Sequence, residues 1–208
     1  MAMDEQTNER LKEIKRSFRL KMDGAASRSM REKGLDYKLN WGVGLPELKA
    51  MAKEYGKDYD LAIALWKEDI RECKILATLM MPPERMLPEV VDIWMEQTPS
   101  QEIAEWAATN LYQHLDYAPM LAFKWISSDR ELPQICGYQL LARLFMKGQE
   151  PNERGIHEFI DQALTALRDD SLGVRHAALN CMRRFAMLSE DHEKIANSAM
   201  KTLNLELF

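Results

Sequence analysis

The sequence predicts an all-α protein made of successive helix pairs. Apolar residues recur at helical spacing, no convincing strand pattern is present, and Gly (9) and Pro (8) are sparse. Four helices expected to begin near Asp69, Ser100, Leu132 and Ser171 are separated by 31, 32 and 39 residues. Such a loose repeat is typical of a HEAT-like α-solenoid, here of about six antiparallel helix pairs.

The central stretch, residues 61–81, predicts a buried helical hairpin. One helix ends there, the chain breaks at 67–69, and a second helix follows at once. The second helix has an apolar stripe made of Ile70, Cys73, Leu76, Ala77, Leu79 and Met80. Arg71, Glu72 and Lys74 lie off this stripe. We therefore expect Leu76 and Ala77 to be core residues.

About twelve helices are predicted along the chain. Asp58, Ser100, Asn152 and Ser171 lie at positions that favour helix starts, and Gly34 follows a helix end. Residues 35–44 have no helical period and predict an ordered loop whose aromatic side chains pack on the following helices. The predicted helices are 5–22, 25–33, 45–55, 59–67, one from near 69 to the stop at Pro82, 84–97, 101–115, 118–127, 132–147, 153–168, 172–187 and 190–203. No internal linker appears, so residues 1–208 are expected to form one domain.

Composition excludes several classes of protein. Hydrophobic residues make up 46% and charged residues 29%, and no apolar run is long enough to span a bilayer. Residues 1–12 are charged rather than apolar, which predicts a cytoplasmic protein without a secretory signal. The three cysteines and four histidines fit no metal or redox spacing, and no general enzyme motif is present. We expect no cofactor and no metal.

The charge is unevenly distributed. The net charge is −5, yet residues 1–40 carry ten Lys/Arg against seven Asp/Glu, while the remainder carries 18 against 26. The first helix presents a basic face made of Lys12, Lys15, Arg16 and Arg19. This face has two interpretations, a solvated surface or a phosphate-binding one.

Residues 31–81 resemble the N-terminal half of the DNA alkylation repair (AlkD-like) family. The resemblance lies in a Gly-x-Pro-x-x-Lys element followed by a Leu-Trp…Glu-x-Lys-x-Leu-Ala pair. These residues are Gly44, Pro46, Lys49, Leu65, Trp66, Glu72, Lys74, Leu76 and Ala77. Residues 174–184 (VRHAALNCMRR) are similar to a late helix of the same family.

This resemblance implies a C-shaped solenoid with a concave, basic, DNA-facing surface. Active members of the family excise N3- and N7-alkylated purines from duplex DNA without flipping the base. They use an acidic residue, flanking tryptophans and an arginine near the DNA backbone. Such a carboxylate can stabilise the developing oxocarbenium charge or position water.

The family's functional positions are largely substituted in this chain. Its catalytic carboxylate falls on Glu105, and the tryptophan four residues earlier falls on Gln101. The arginine falls near Cys136, and the second tryptophan falls on Asn180. The resemblance therefore implies Glu105 as the catalytic residue, with a surface carboxylate as the alternative. Trp106 is adjacent but lies about 100° around the helix from Glu105.

A second basic face is expected on the late helix. His176, Asn180, Arg183 and Arg184 lie along one side, with Arg175 beside them, and Val174, Ala177, Cys181 and Phe185 lie opposite. We interpret this face as a contact for a phosphate backbone or as a solvated surface. The expected function is binding of duplex DNA, with alkylpurine excision weak or absent. The alternative is a non-catalytic scaffold that binds a protein partner on its concave face.

Overall fold

The computed structural model describes residues 4–35 and 37–207, and these residues contain twelve α-helices. No sheet strand occurs among them; the only β-type pairing there is an isolated parallel bridge between Leu39 and Ile70. The helices are α1 Glu5–Leu20, α2 Gly24–Glu32, α3 Leu45–Tyr55, α4 Tyr59–Lys67, α5 Arg71–Met80, α6 Pro88–Glu96, α7 Gln101–Asn110, α8 Ala118–Ile126, α9 Glu131–Met146, α10 Glu153–Ala166, α11 Leu172–Ala186 and α12 Glu190–Lys201. The all-α prediction is confirmed.

Most helix starts follow the capping signals in the sequence. The side chains of Asp58, Ser100, Asn152 and Ser171 each accept a hydrogen bond from a backbone N–H in the first turn of the helix that follows. Such caps satisfy donors that have no partner within the helix. The predicted starts of α4, α7, α10 and α11 are therefore confirmed.

Two predicted helices have wrong bounds. The helix predicted at 84–97 is a 3₁₀ turn, Pro83–Arg85, followed by α6, which begins at Pro88. Proline lacks an N–H and clashes with the preceding turn, so it is tolerated only at a helix start. The helix predicted at 101–115 ends at Asn110, because Leu111 leaves the helical region, and a 3₁₀ turn follows at Tyr112–His114.

The repeat is visible in the helix starts. Helices α5, α7, α9 and α11 begin at residues 71, 101, 131 and 172, which are separated by 30, 30 and 41 residues. The sequence-based intervals are close to these values. The fold is that of a HEAT-like helical repeat, in which each repeat buries its apolar face against its neighbours.

The chain divides into two compact units, one ending at Leu111 and the other beginning at Tyr112. In the first, α5 packs against α3, α4 and α7, and the indole rings of Trp66 and Trp94 stack with centroids 4.1 Å apart. In the second, α9 packs against α8 and α11, and Phe145, Phe159 and Phe185 form an aromatic cluster. The single domain expected over residues 1–208 stays a prediction.

Helix α5 is the core element of the first unit. Leu76 and Ala77 are fully buried, which confirms the interpretation of the apolar stripe. The three polar residues off the stripe are nevertheless buried as well: Arg71 is 4% exposed, Glu72 0% and Lys74 8%. Burial lowers the pKa of Lys74, whose ammonium donates a hydrogen bond to the carbonyl oxygen of Trp66. The helix is thus surrounded on nearly all sides, which its periodicity does not indicate.

None of the helices in the described part of the chain is both long and apolar enough to cross a bilayer. Within residues 4–35 and 37–207, no group of three or more His, Cys, Asp or Glu side chains is arranged to hold a metal ion. Cys73, Cys136 and Cys181 are buried, and none of the three forms a disulfide.

Candidate nucleic-acid interface

A groove in the first unit is formed between α1 and the segment that connects α2 to α3. It encloses about 290 Å³. We call it the α1 groove, and define it by its lining residues: Lys12, Lys15, Arg16, Arg19, Leu39, Trp41 and Ile70. All four cations of the predicted basic face therefore line one site, together with an indole ring and two aliphatic side chains.

Two of the four cations in the α1 groove are neutralised by carboxylates. Lys12 pairs with Glu9 at 2.7 Å, and Lys15 pairs with Glu68 at 2.6 Å. Arg16 and Arg19 have no carboxylate within ion-pair distance among the described residues. The guanidinium carbon of Arg19 lies 5.7 Å from the centroid of the Trp41 ring, which is a cation–π contact. Among the described residues, the four cations of the groove therefore exceed their ion-pair partners by two.

A buried carboxylate holds the backbone of the loop that carries Trp41. Glu72, at the start of α5, is fully buried and accepts hydrogen bonds from the backbone N–H groups of Trp41 and Val43, at 3.1–3.2 Å. On the other side of the loop, the N–H of Asp23 donates to the carbonyl of Trp41 at 3.0 Å. Gly42 has φ +73°, and a Cβ there would lie 2.1 Å from the Asp23 carbonyl oxygen. These contacts fix the loop in one conformation.

Arg71 joins this loop to α7. Its guanidinium donates to the Val43 carbonyl at 3.2 Å and to both carboxylate oxygens of Glu102, the shortest distance being 2.6 Å. The Tyr37 hydroxyl donates to Glu102 at 2.6 Å and lies 2.7 Å from the Ser100 hydroxyl. Burial opposes ionisation of Glu102, but the hydrogen bonds from Arg71 and Tyr37 outweigh it and hold its pKa below the ordinary value. Burial and the neighbouring Glu102 raise the pKa of Tyr37.

Glu105, the expected catalytic residue, lies on the partly exposed side of α7. The side-chain amide of Gln101 donates a hydrogen bond to the Glu105 carboxylate at 2.8 Å. These are the two positions that match the family's catalytic carboxylate and first tryptophan. The half-buried Trp106 lies near Glu102, one turn earlier in the helix, and helps to lower the pKa of that carboxyl. Glu105 thus has an amide neighbour where the family has an aromatic ring.

The family's other two functional positions lie in the second unit. Cys136, near which the arginine was expected, is fully buried in α9. Asn180, at the position of the second tryptophan, is partly exposed on α11. A buried thiol cannot contact a phosphate, and an asparagine offers no aromatic face to a deoxyribose. Neither side chain can perform the role that the family position implies.

Only part of the polar face expected on α11 is available to a ligand, because two of its arginines bind backbone carbonyls of this chain. Arg175 donates to the backbone carbonyls of Asp169 and Asp170, and Arg183 donates to the Leu207 carbonyl at 2.7 Å. These two guanidinium groups therefore hold the chain segments that flank α11. His176 is exposed, and Asn180 and Arg184 are partly exposed. Opposite this face Val174, Cys181 and Phe185 are buried as expected, and Ala177 is only partly buried.

The fold and these sites define a HEAT-like helical repeat protein, and comparison with known proteins identifies the family. A family model described as "DNA alkylation repair enzyme" matches residues 7–193, so the chain belongs to the DNA alkylation repair family. No curated protein sequence shows significant similarity to it. A solved structure described as "A new family of proteins related to the HEAT-like repeat DNA glycosylases with affinity for branched DNA structures" superposes with a TM-score of 0.82. The match covers 92% of this chain and 82% of that one at 17% identity, and it shows a shared fold.

Sequence reasoning missed the apolar half of the α1 groove. It assigned the cations of α1 correctly to one helix face, but it treated Trp41 only as a packing residue. Leu39 and Ile70 are 31 residues apart and come together through their parallel bridge. The alternation of Tyr37, Leu39, Trp41 and Val43 was the available signal, since in an extended segment residues two positions apart face the same side, as Leu39 and Trp41 do in the groove.

Proposed function

We propose that the protein binds DNA through the α1 groove and acts without base excision. The observation that carries this proposal is the convergence of four cations of one helix face on a single site, where they exceed their carboxylate partners by two within the described part of the chain. Phosphate contacts of Lys and Arg supply most of the non-specific affinity of DNA-binding proteins. The acidic balance of the rest of the chain confines this affinity to a local surface.

The family supports DNA as the ligand and the fold supports its branched forms. The family model is that of DNA alkylation repair enzymes, and the relative with the shared fold is described as having affinity for branched DNA. We extend that affinity to this chain. A branched DNA offers duplex phosphates and unpaired nucleotides side by side, and the α1 groove combines cations with an aromatic ring.

The residues at the catalytic positions support the absence of excision. Departure of an alkylated base leaves positive charge on the sugar, which a correctly placed carboxylate must stabilise. Glu105 carries a carboxylate one methylene longer than the family's, and misplacement on the order of 1 Å can cost about a hundredfold in rate. Gln101, Cys136 and Asn180 supply neither the two aromatic rings nor the arginine.

The test is DNA binding as a function of salt concentration. Wild-type protein should bind a blunt duplex and a four-way junction, with affinity falling steeply as salt rises. The double variant Arg16→Ala/Arg19→Ala should bind both more weakly, and its log–log salt slope on the blunt duplex should be shallower by about two, since each lost phosphate contact removes about 0.9.

The matched control removes two positive charges elsewhere. Lys53→Ala/Lys201→Ala changes the net charge equally at two exposed positions outside the groove, and its affinity and slope should stay at wild-type values. Equal loss in both double variants would mean that only bulk charge matters. Wild-type protein that binds neither DNA would contradict the proposal and favour the alternative, a non-catalytic scaffold for a protein partner.

A further inference from the structure

The α1 groove contains more apolar surface than a phosphate contact requires. One wall is the cationic face of α1, and the remainder is formed by Leu39, Trp41 and Ile70. Phosphate oxygens gain nothing from aliphatic or aromatic neighbours. A ligand that is anionic along one edge and flat and apolar along another fits both halves. An unpaired nucleotide has this character, since its base exposes a π face that duplex DNA keeps stacked inside the helix.

An exposed cation, Arg19, lies over the face of the Trp41 ring. Trp41 is half-buried, and the guanidinium carbon of Arg19 lies 5.7 Å from the ring centroid. Arg19 is exposed, and no carboxylate among the described residues holds it. An exposed cation–π contact is weak, whereas stacking of a base on an aromatic side chain is stronger. A base can therefore displace Arg19, which is then free to contact the nucleotide's own phosphate.

The ring is presented by a rigid backbone. Glu72 accepts from the N–H groups of Trp41 and Val43, and the Trp41 carbonyl accepts from Asp23. The next residue, Gly42, packs so closely against Asp23 that no side chain fits there. A ring carried on a fixed backbone loses less freedom when a base stacks on it than one carried on a mobile loop. Glu72 thus holds the backbone of the loop that carries Trp41.

We propose that the α1 groove binds one unpaired nucleotide of a branched or single-stranded DNA, with its base stacked on Trp41 and its flanking phosphates held by Arg16 and Arg19. This proposal rests on the proposed function, DNA binding through the same groove. It assigns to Trp41 the preference for unpaired DNA, and to the arginines the affinity that all DNA forms share.

The test compares three DNAs of one sequence: a single strand, a fork with one unpaired arm, and a blunt duplex. Trp41→Ala should weaken binding of the single strand and the fork by about tenfold, the loss expected for one stacked base. Its affinity for the blunt duplex should change less than twofold. Trp41→Phe keeps an aromatic face and should retain most of the affinity.

The matched control, Trp106→Ala, removes another half-buried indole of the same unit outside the groove. It should leave the ratio of fork to duplex affinity unchanged.

A fluorescence measurement tests the contact itself. Stacking of a base quenches indole emission, so titration with the single strand should quench wild-type protein and the Trp106→Phe variant but not Trp41→Phe. Where Trp41→Ala unfolds early in a thermal melt, Trp41→Leu replaces it, because leucine fills the space without a π face.

The outcomes separate this inference from the proposed function. Equal weakening of fork and duplex by Trp41→Ala, or no weakening of either, would overturn the stacking role. DNA binding that still depends on Arg16 and Arg19 would then leave the proposed function standing. Absence of binding to all three DNAs by wild-type protein would overturn both.

Discussion

Arg71 and Glu102 form an ion pair that spans one structural repeat. Nη2 of Arg71 lies 2.6 Å from Oε1 of Glu102, and Nε lies 3.0 Å from Oε2. The two residues are 31 positions apart, close to the 30-residue interval between the starts of α5 and α7. Further hydrogen bonds of the first unit also join residues 31 or 32 positions apart, among them those of Trp41 with Glu72, Trp66 with Gln97, and Thr78 with Asn110. The repeats of the first unit are therefore joined by specific polar contacts as well as by apolar packing.

Removal of Arg71 should destabilise the fold strongly. Arg71→Met leaves the fully buried Glu72 and the largely buried Glu102 without their cation. Breaking a buried pair in this way costs about 3–5 kcal/mol of unfolding free energy, which urea denaturation followed by tryptophan emission can measure. The matched control is Lys21→Met, which breaks the exposed pair with Glu47 and should cost less than about 1 kcal/mol. Similar losses of unfolding free energy in the two variants would show that the buried pairs of Arg71 contribute no more to stability than an exposed pair.

The same ion pair predicts how stability depends on acid. The pKa of Glu102 is lowered by Arg71 and Tyr37 relative to its ordinary value of 4.5. A carboxylate with a lowered pKa stabilises the fold above about pH 4.5, and this contribution is lost as the pH falls through the pKa of the folded state. The stability difference between wild type and Glu102→Gln should therefore be full at pH 7 and shrink steadily below pH 4.5. A difference that stays constant down to pH 3 would contradict the pairing.

Tyr37 predicts the opposite behaviour in alkali. Burial and Glu102 raise its pKa above the ordinary value of 10.0, so the neutral hydroxyl is favoured in the folded state. That contribution is complete below pH 10 and declines as the pH rises above 10. Tyr37→Phe should be less stable than wild type at pH 7, because Glu102 loses a donor, and the gap should narrow above pH 10. A gap that widens there would show that Tyr37 ionises easily in the fold.

Leu76 should contribute to the core in proportion to its burial. It is 0% exposed on α5, and Leu76→Ala should lower the unfolding free energy by roughly 2–5 kcal/mol through lost contacts and a residual cavity. Leu87→Ala, at a 59% exposed position, is the control and should stay within about 0.5 kcal/mol of wild type. A loss below about 0.5 kcal/mol for Leu76→Ala would mean that α5 is not core.

Excision of methylated purines should be undetectable. Wild-type protein incubated with methylated duplex DNA should release no 7-methylguanine or 3-methyladenine above the spontaneous level, and Glu105→Gln should behave identically. Release that Glu105→Gln abolishes would contradict this expectation and assign the chemistry to Glu105. Release that survives the substitution would direct attention to another carboxylate of α7, Glu102.

Local signals in the sequence predicted the fold well. Helix caps such as Asp58 and Asn152 act within a few residues of the helix that they begin, so the sequence reveals them directly. The wrong start of α6 was also local: Pro88 lies inside the predicted helix and should have moved its start. The start of α5 moves from Asp69 to Arg71 for a distant reason, because Ile70 is extended by its bridge to Leu39.

The candidate sites were harder to predict because their partners are distant in sequence. The cations of α1 follow helical spacing and were found, whereas Trp41 joins them only through the fold. Periodicity cannot show that Arg71 and Glu72 are buried, because their hydrogen-bond partners are distant in sequence. Arg71 pairs with Val43 and Glu102, which are 28 and 31 residues away. It likewise cannot reveal that Arg183 donates a hydrogen bond to the Leu207 carbonyl and so holds the segment that follows α12.

The contacts at one-repeat spacing limit how this chain can change in length. Repeat proteins commonly gain or lose whole repeats, because each repeat contacts only its neighbours. Deletion of residues 71–100 would join Ile70 to Gln101. Glu102 would then take the position of Glu72, and Gln101 would take the position of Arg71. The shortened protein would bury a carboxylate under the Trp41 loop with no cation beside it. We therefore expect whole repeats gained or lost among relatives to leave the interval between α5 and α7 unchanged.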